Sequence, residues 1–152
     1  MDRRNIFRAA LAATGGLFAT RAVAPAVAQD VVNVRRPSVS KVAYHLSDAD
    51  KVVFVLGNIQ NHIDGGPKDL EIVLVVHGPA LKAFHARSAD ADLSRRVAKF
   101  ARAGVGFAAC GNTMKSQKVG LNDLVGGFTI VEQGGVVRLA ELQSMGYVYL
   151  RP

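Results

Sequence analysis

The chain has 152 residues, 49% of them hydrophobic and 20% charged, which fits one globular domain and excludes a disordered chain. The formal charge of +7 points toward a polyanionic partner, but residues 1–28 carry Arg3, Arg4, Arg8 and Arg21 against Asp2, leaving the rest at only +4. That charge forms no run longer than Arg35-Arg36 or Arg95-Arg96 and has no interleaved aromatics, so nucleic acid is not the expected partner.

In chain order, Arg3-Arg4 precedes Asn5-Ile6-Phe7, an uncharged stretch over residues 9–19, and Ala26-Val27-Ala28, which fits the small-x-small rule for signal peptidase. The competing Ala22-Val23-Ala24 is followed by Pro25, which hinders cleavage there. The apolar stretch is far short of the roughly 20 residues a spanning helix needs. Residues 1–28 are therefore expected to be a cleaved twin-arginine signal, with a periplasmic destination and no stable membrane anchor. Residues 29–40 are polar and basic with Pro37, and read as a flexible lead-in to a domain over 41–152.

Lys41-Val-Ala-Tyr-His45 is the first expected strand. Asp48 is placed to cap a helix, and Val52, Val53, Leu56, Ile59 and Ile63 then recur at helical spacing until Gly65-Gly66-Pro67. Glu71-Ile-Val-Leu-Val-Val-His77 is continuously apolar, as in a parallel strand covered on both faces. Gly78-Pro79 turns the chain into a short helix over residues 80–86. Leu93, Val97, Phe100 and Ala101 form a second helical stripe, stopped at Gly104. Val105-Gly-Phe-Ala-Ala109 is the third strand, and Asn112 is placed to cap a helical turn running to Gln117. Phe128-Thr-Ile-Val131 is the fourth strand; Val136, Leu139, Ala140 and Leu142 lie on the last helix, closed by Gly146; Tyr147-Val-Tyr-Leu150 is the fifth strand. Strands alternating with helices predict a three-layer α/β/α domain with an open, mainly parallel sheet of about five strands.

Three expected strands end in Tyr44-His45, His77-Gly78 and Cys110-Gly111. In an open parallel sheet, ligands bind beyond the carboxyl ends of the strands, so His45, His77 and Cys110 share one edge. The chain has a single cysteine and hence no internal disulfide. Cys110 is then a nucleophile or sulfur carrier tuned by a histidine and by helix N-termini, a metal ligand with His45 and His77 for copper or zinc, or an inert buried thiol. Asn112, Thr113 and Lys115 follow it as candidate donors to an anion. Asn58, Asn61 and His62 lie on the polar side of the first helix, and His85 reads as a surface residue. No P-loop, dinucleotide fingerprint or nucleophile elbow is present, so no cofactor is expected.

Lys41-Val-Ala-Tyr-His45, Leu56-Gly-Asn-Ile-Gln-Asn-His62, Val75-Val-His-Gly-Pro79, Phe107-Ala-Ala-Cys-Gly-Asn-Thr-Met114 and Gly146-Tyr-Val-Tyr-Leu-Arg-Pro152 together resemble the DsrE/DsrF-like family. These are small α/β proteins linked to sulfur oxidation and sulfur relay, and the likeness is to their exported single-domain branch. The resemblance implies a trimeric or hexameric homo-oligomer. It also implies a persulfide on Cys110, His77 or His45 as proton acceptor, Asn112 stabilising the anion, and a sulfur donor or acceptor protein as partner. The expected thiol is solvent-reachable. The alternative is a non-enzymatic oligomeric module binding a small ligand or a metal at the strand ends.

Overall fold

The computed structural model describes residues 40–152, so the expected signal and nearly all of the expected lead-in lie outside the described residues. Five strands, β1 (Lys41–Leu46), β2 (Glu71–Val76), β3 (Gly106–Cys110), β4 (Phe128–Val131) and β5 (Val148–Leu150), form one all-parallel sheet in the order β4-β3-β2-β1-β5. Between them stand helices α1 (Val52–Gly65), α2 (Ala91–Arg102), α3 (Gly111–Gln117) and α4 (Gly135–Ser144), together with short 3-10 turns.

The layering follows from the direction of each crossover. From β1 to β4 every connection steps toward the same edge, and right-handed crossovers put α1, α2 and α3 on one face. The step from β4 to β5 runs back across the sheet and puts α4 on the other. The large core therefore packs Val42, Tyr44, Leu46, Ile72, Leu74, Val76 and Phe107 against Val55, Leu56, Ile59, Phe84, Val97 and Phe100. Each of these large side chains contributes roughly 1.5–3 kcal/mol by leaving water. The opposite face is thinner: Ala43, Val75, Ala108 and Val131 meet only Leu139, Leu142 and Tyr147. Strand alternation puts His45, His77 and Cys110 on this second side, because each is an even number of residues from Ala43, Val75 or Ala108.

Several local expectations are corrected. Asp48 does not cap α1: a 3-10 turn over Ala49–Lys51 intervenes, and the Asp48 carboxylate instead accepts from Arg151 at 3.1 Å. Asn112 does not cap α3, because the helix already starts at Gly111 and Cys110 occupies the cap position. Cys110 is itself the last residue of β3, in register with Val131. Val53 is 70% exposed and Val55 takes its place in the core, since the 3-10 turn rotates the start of α1. Val136 and Ala140 likewise lie on the wet side of α4. The short helix after Pro79 is a 3-10 helix over Gly78–Phe84, beginning and ending two residues earlier than expected. Among the described residues no helix is long and apolar enough to cross a membrane.

Candidate functional site

Cys110 stands where two neighbouring strands send their helices to opposite faces: β3 leads into α3 and β4 into α4. Such a divergence opens a crevice at the carboxyl end of a parallel sheet. Two features let the chain close tightly around the sulfur. Gly134 has φ +103°, a conformation that only glycine adopts without strain, and it turns β4 into α4 directly over the thiol. Gly135 packs closely here: a Cβ there would lie a tight 3.3 Å from Val75 Cγ1 and in contact, at 3.4 Å, with the Cβ atoms of both Cys110 and His77. His77 and Cys110 therefore flank the first turn of α4 side by side.

The expected solvent-reachable thiol is corrected: Cys110 is 5% exposed. Its burial has a definite cause, the Gly134-Gly135 turn packed across it. Burial pushes the thiol pKa up. The Thr113 hydroxyl and the backbone N–H groups of Gly135, Thr113 and Asn112 donate hydrogen bonds to the sulfur, and together they hold the pKa below its ordinary value. Thr113 is anchored in turn, because its Oγ1 accepts from the Gly78 N–H at 3.0 Å. The donors thus come from the first turns of two helices, where backbone N–H groups have no helical partner.

His45 and His77 are brought together more closely than their spacing suggests. Their Nε2 atoms are hydrogen-bonded to one another. The ring planes lie within 17° and the centroids are 4.7 Å apart. Rings in Nε2 contact reach that separation only when each extends away from the contact, so the pair meets head to head and not face to face. Burial lowers His45 to about 4; its neighbour His77 and the Arg151 guanidinium push the same way, while Asp48 opposes them. Burial also lowers His77, again aided by Arg151 and opposed by Asp48. At neutral pH both rings are uncharged, and one proton lies between them. His45 Nδ1 is 2.6 Å from the Tyr149 hydroxyl, from β5.

The other candidates disperse. Asn112 is exposed and serves Cys110 through its backbone N–H. Lys115 pairs with Glu132 at 3.5 Å on the surface. His62 Nδ1 bonds the Tyr44 hydroxyl at 3.0 Å, on the opposite face of the sheet. His85, expected at the surface, is half-buried and donates to Gln117. Among the described residues no group of three or more His, Cys, Asp or Glu side chains is arranged to hold a metal ion. His45 and His77 direct their Nε2 atoms at each other, so the alternative set of His45, His77 and Cys110 does not form such a group. Tyr149 and the Gly134-Gly135 turn were missed in the sequence. Gly134-Gly135 before a helix was the available signal; for Tyr149, 104 residues from His45, there was none.

Residues 40–152 match the DsrE/DsrF-like family. Among solved structures, the fold is similar to MTH1491, a protein of unknown function from Methanobacterium thermoautotrophicum. The TM-score is 0.66 at 25% identity, over 74% of this chain and 99% of that one. It is also similar to BT1422, a conserved protein of unknown function from Bacteroides thetaiotaomicron, with a TM-score of 0.55 at 19% identity, over 74% of this chain and 95% of that one. Among curated proteins, none matches the chain.

Proposed function

The chain belongs to the DsrE/DsrF-like family, and from that premise we propose that it is an exported carrier of sulfane sulfur, held as a persulfide on Cys110. The observation that carries this reading is the set of hydrogen bonds aimed at one sulfur from Thr113, Asn112 and Gly135. Donors of this kind favour a thiolate, the form that attacks sulfur. They also suit the anionic persulfide that results.

The step balances without an added oxidant. Cys110 loses its proton to His77, and the thiolate attacks the sulfane sulfur of a persulfide or polysulfide donor. A new S–S bond forms on Cys110 while the donor's S–S bond breaks, and the remainder leaves as a thiol, a shorter polysulfide or, from thiosulfate, sulfite, with the proton returned from His77 to the leaving group or to water. Transfer onward to an acceptor thiol reverses these events. Burial also suits an exported protein, because it shields the thiol from casual oxidation. The reading includes a homo-oligomer, supported by the exposed apolar residues Val136 and Val137 on α4, Met145 just after it and Val148 on β5.

Intact mass spectrometry after exposure to polysulfide or thiosulfate tests the proposal. The expected result is a gain of one sulfur on the wild type and none on Cys110→Ser. A wild type that takes up no sulfur from either donor refutes the carrier reading.

A further inference from the structure

Gly78 joins the end of β2 to the cradle around the sulfur. Its N–H donates to Thr113 Oγ1 at 3.0 Å. That bond occupies one lone pair of the Thr113 oxygen and leaves the hydroxyl proton for Cys110. Gly78 is also a pliable joint, because it has no side chain and stands at φ +59°, a conformation that favours glycine. Its carbonyl accepts a hydrogen bond from Gln117 Nε2 at 2.9 Å. Gln117 lies one helical turn after Thr113 on α3, so two side chains on one face of the helix hold the backbone of a single residue at both ends. We propose that Gln117, oriented by His85, is a positioning residue for the Cys110 thiolate and acts through Gly78 and Thr113.

The polarity of each link follows from what the atoms can do. The Gly78 carbonyl only accepts, so the Gln117 amide turns its NH2 group toward it. The amide oxygen then faces His85 Nε2 at 2.8 Å, and the ring carries a proton there to donate. His85 is fixed in turn by the backbone on both sides of it. The Ala86 N–H donates to the Asp123 carbonyl at 2.8 Å, and the Phe84 carbonyl accepts from the Val125 N–H at 2.9 Å. The N–H and C=O of Gly78 belong to different peptide groups, so the influence of Gln117 is geometric. Once the carbonyl is released, the Gly78 N–H can leave Thr113 and the hydroxyl loses its fixed direction. The titratable groups around the thiol are His77, which flanks it across Gly135, and the Lys115–Glu132 ion pair from α3 and the turn after β4. Burial and hydrogen bonds set the thiol's protonation, with no charged neighbour among its causes.

The inference rests on reading Cys110 as the reacting thiol, and its test is independent of sulfane sulfur. Alkylation of Cys110 by iodoacetamide is followed against pH on the full chain, on Gln117→Met, on Thr113→Val and on the double variant. Methionine keeps the length of the side chain and removes both of its hydrogen bonds. Gln117→Met is expected to slow alkylation about threefold on the acid limb, part of one hydrogen bond's worth, and to leave the alkaline plateau in place. In the Thr113→Val background the same substitution is expected to add nothing, since its route to the sulfur is already cut. Should Gln117→Met not fold, His85→Phe, which releases the amide, gives the same readout. Nitrogen-correlated NMR of the wild type is expected to place the His85 proton on Nε2 at neutral pH. An unmoved acid limb, an equal slowing in both backgrounds, a lowered plateau or an His85 proton on Nδ1 overturns the proposal. A failure of the sulfur-uptake experiment alone overturns the carrier reading and leaves these measurements standing.

Discussion

Acidification should loosen this domain through His45, by an amount the site geometry sets. The ring titrates at about 4 in the folded protein against 6.5 as its ordinary value. A histidine with a lowered folded pKa binds fewer protons when folded than when unfolded. Its contribution to stability is therefore complete above about pH 6.5 and falls as pH drops toward 4. Between pH 7.5 and pH 5 this linkage amounts to about 2 kcal/mol at full weight. Solvent screening on the Tyr149 side reduces it toward about 1 kcal/mol. For a domain of this size the melting midpoint should fall by about 4–8 °C from this group alone. His77 is lowered for the same reason and adds in the same direction. The assay is thermal or urea unfolding at both pH values, on the wild type and on His45→Gln. The glutamine does not titrate, so the variant's loss between the two pH values should be smaller by the His45 share. Equal losses in both proteins, or an NMR titration placing His45 near 6.5, would refute the argument.

Two further substitutions probe the cradle around the sulfur. Thr113→Val keeps the side-chain shape but removes the donor to Cys110 and the acceptor for Gly78. It should destabilise the fold by about 1–3 kcal/mol and move the pH profile of Cys110 alkylation upward; an unmoved profile would show that the hydroxyl does not serve the thiolate. Gly134→Ala forces a side chain onto φ +103° and brings its Cβ to 2.7 Å from the Asn112 side-chain nitrogen. Asn112 is exposed and can swing away, so backbone strain dominates, at about 1–3 kcal/mol in urea unfolding. A loss well below that range would mean that the turn over Cys110 is not held in this conformation.

What the chain itself determines is local. The unbroken run Ile72-Val-Leu-Val-Val76 can only be a strand covered on both faces, and the stripe through Leu93, Val97 and Phe100 can only be a surface helix with one buried side. A strict period of two in the strands then places His45, His77 and Cys110 on a common side at one edge, which is why those three were legible without coordinates. Side-chain pairing between distant segments was not legible, because no periodicity encodes it. Asp48 reads as a cap from its neighbours alone, yet an arginine at the far end of the chain takes its carboxylate. The burial of Cys110, the position in the crossover order at which α4 changes face, and the bond from Tyr149 to His45 all depend on β5 inserting beside β1 after the chain runs back across the sheet. Strand order is settled by which apolar faces can be covered at once, a property of the whole packed domain. The candidate residues were thus readable one by one, and only the tertiary structure decided that Cys110 is buried and that His45 is bonded to both His77 and Tyr149.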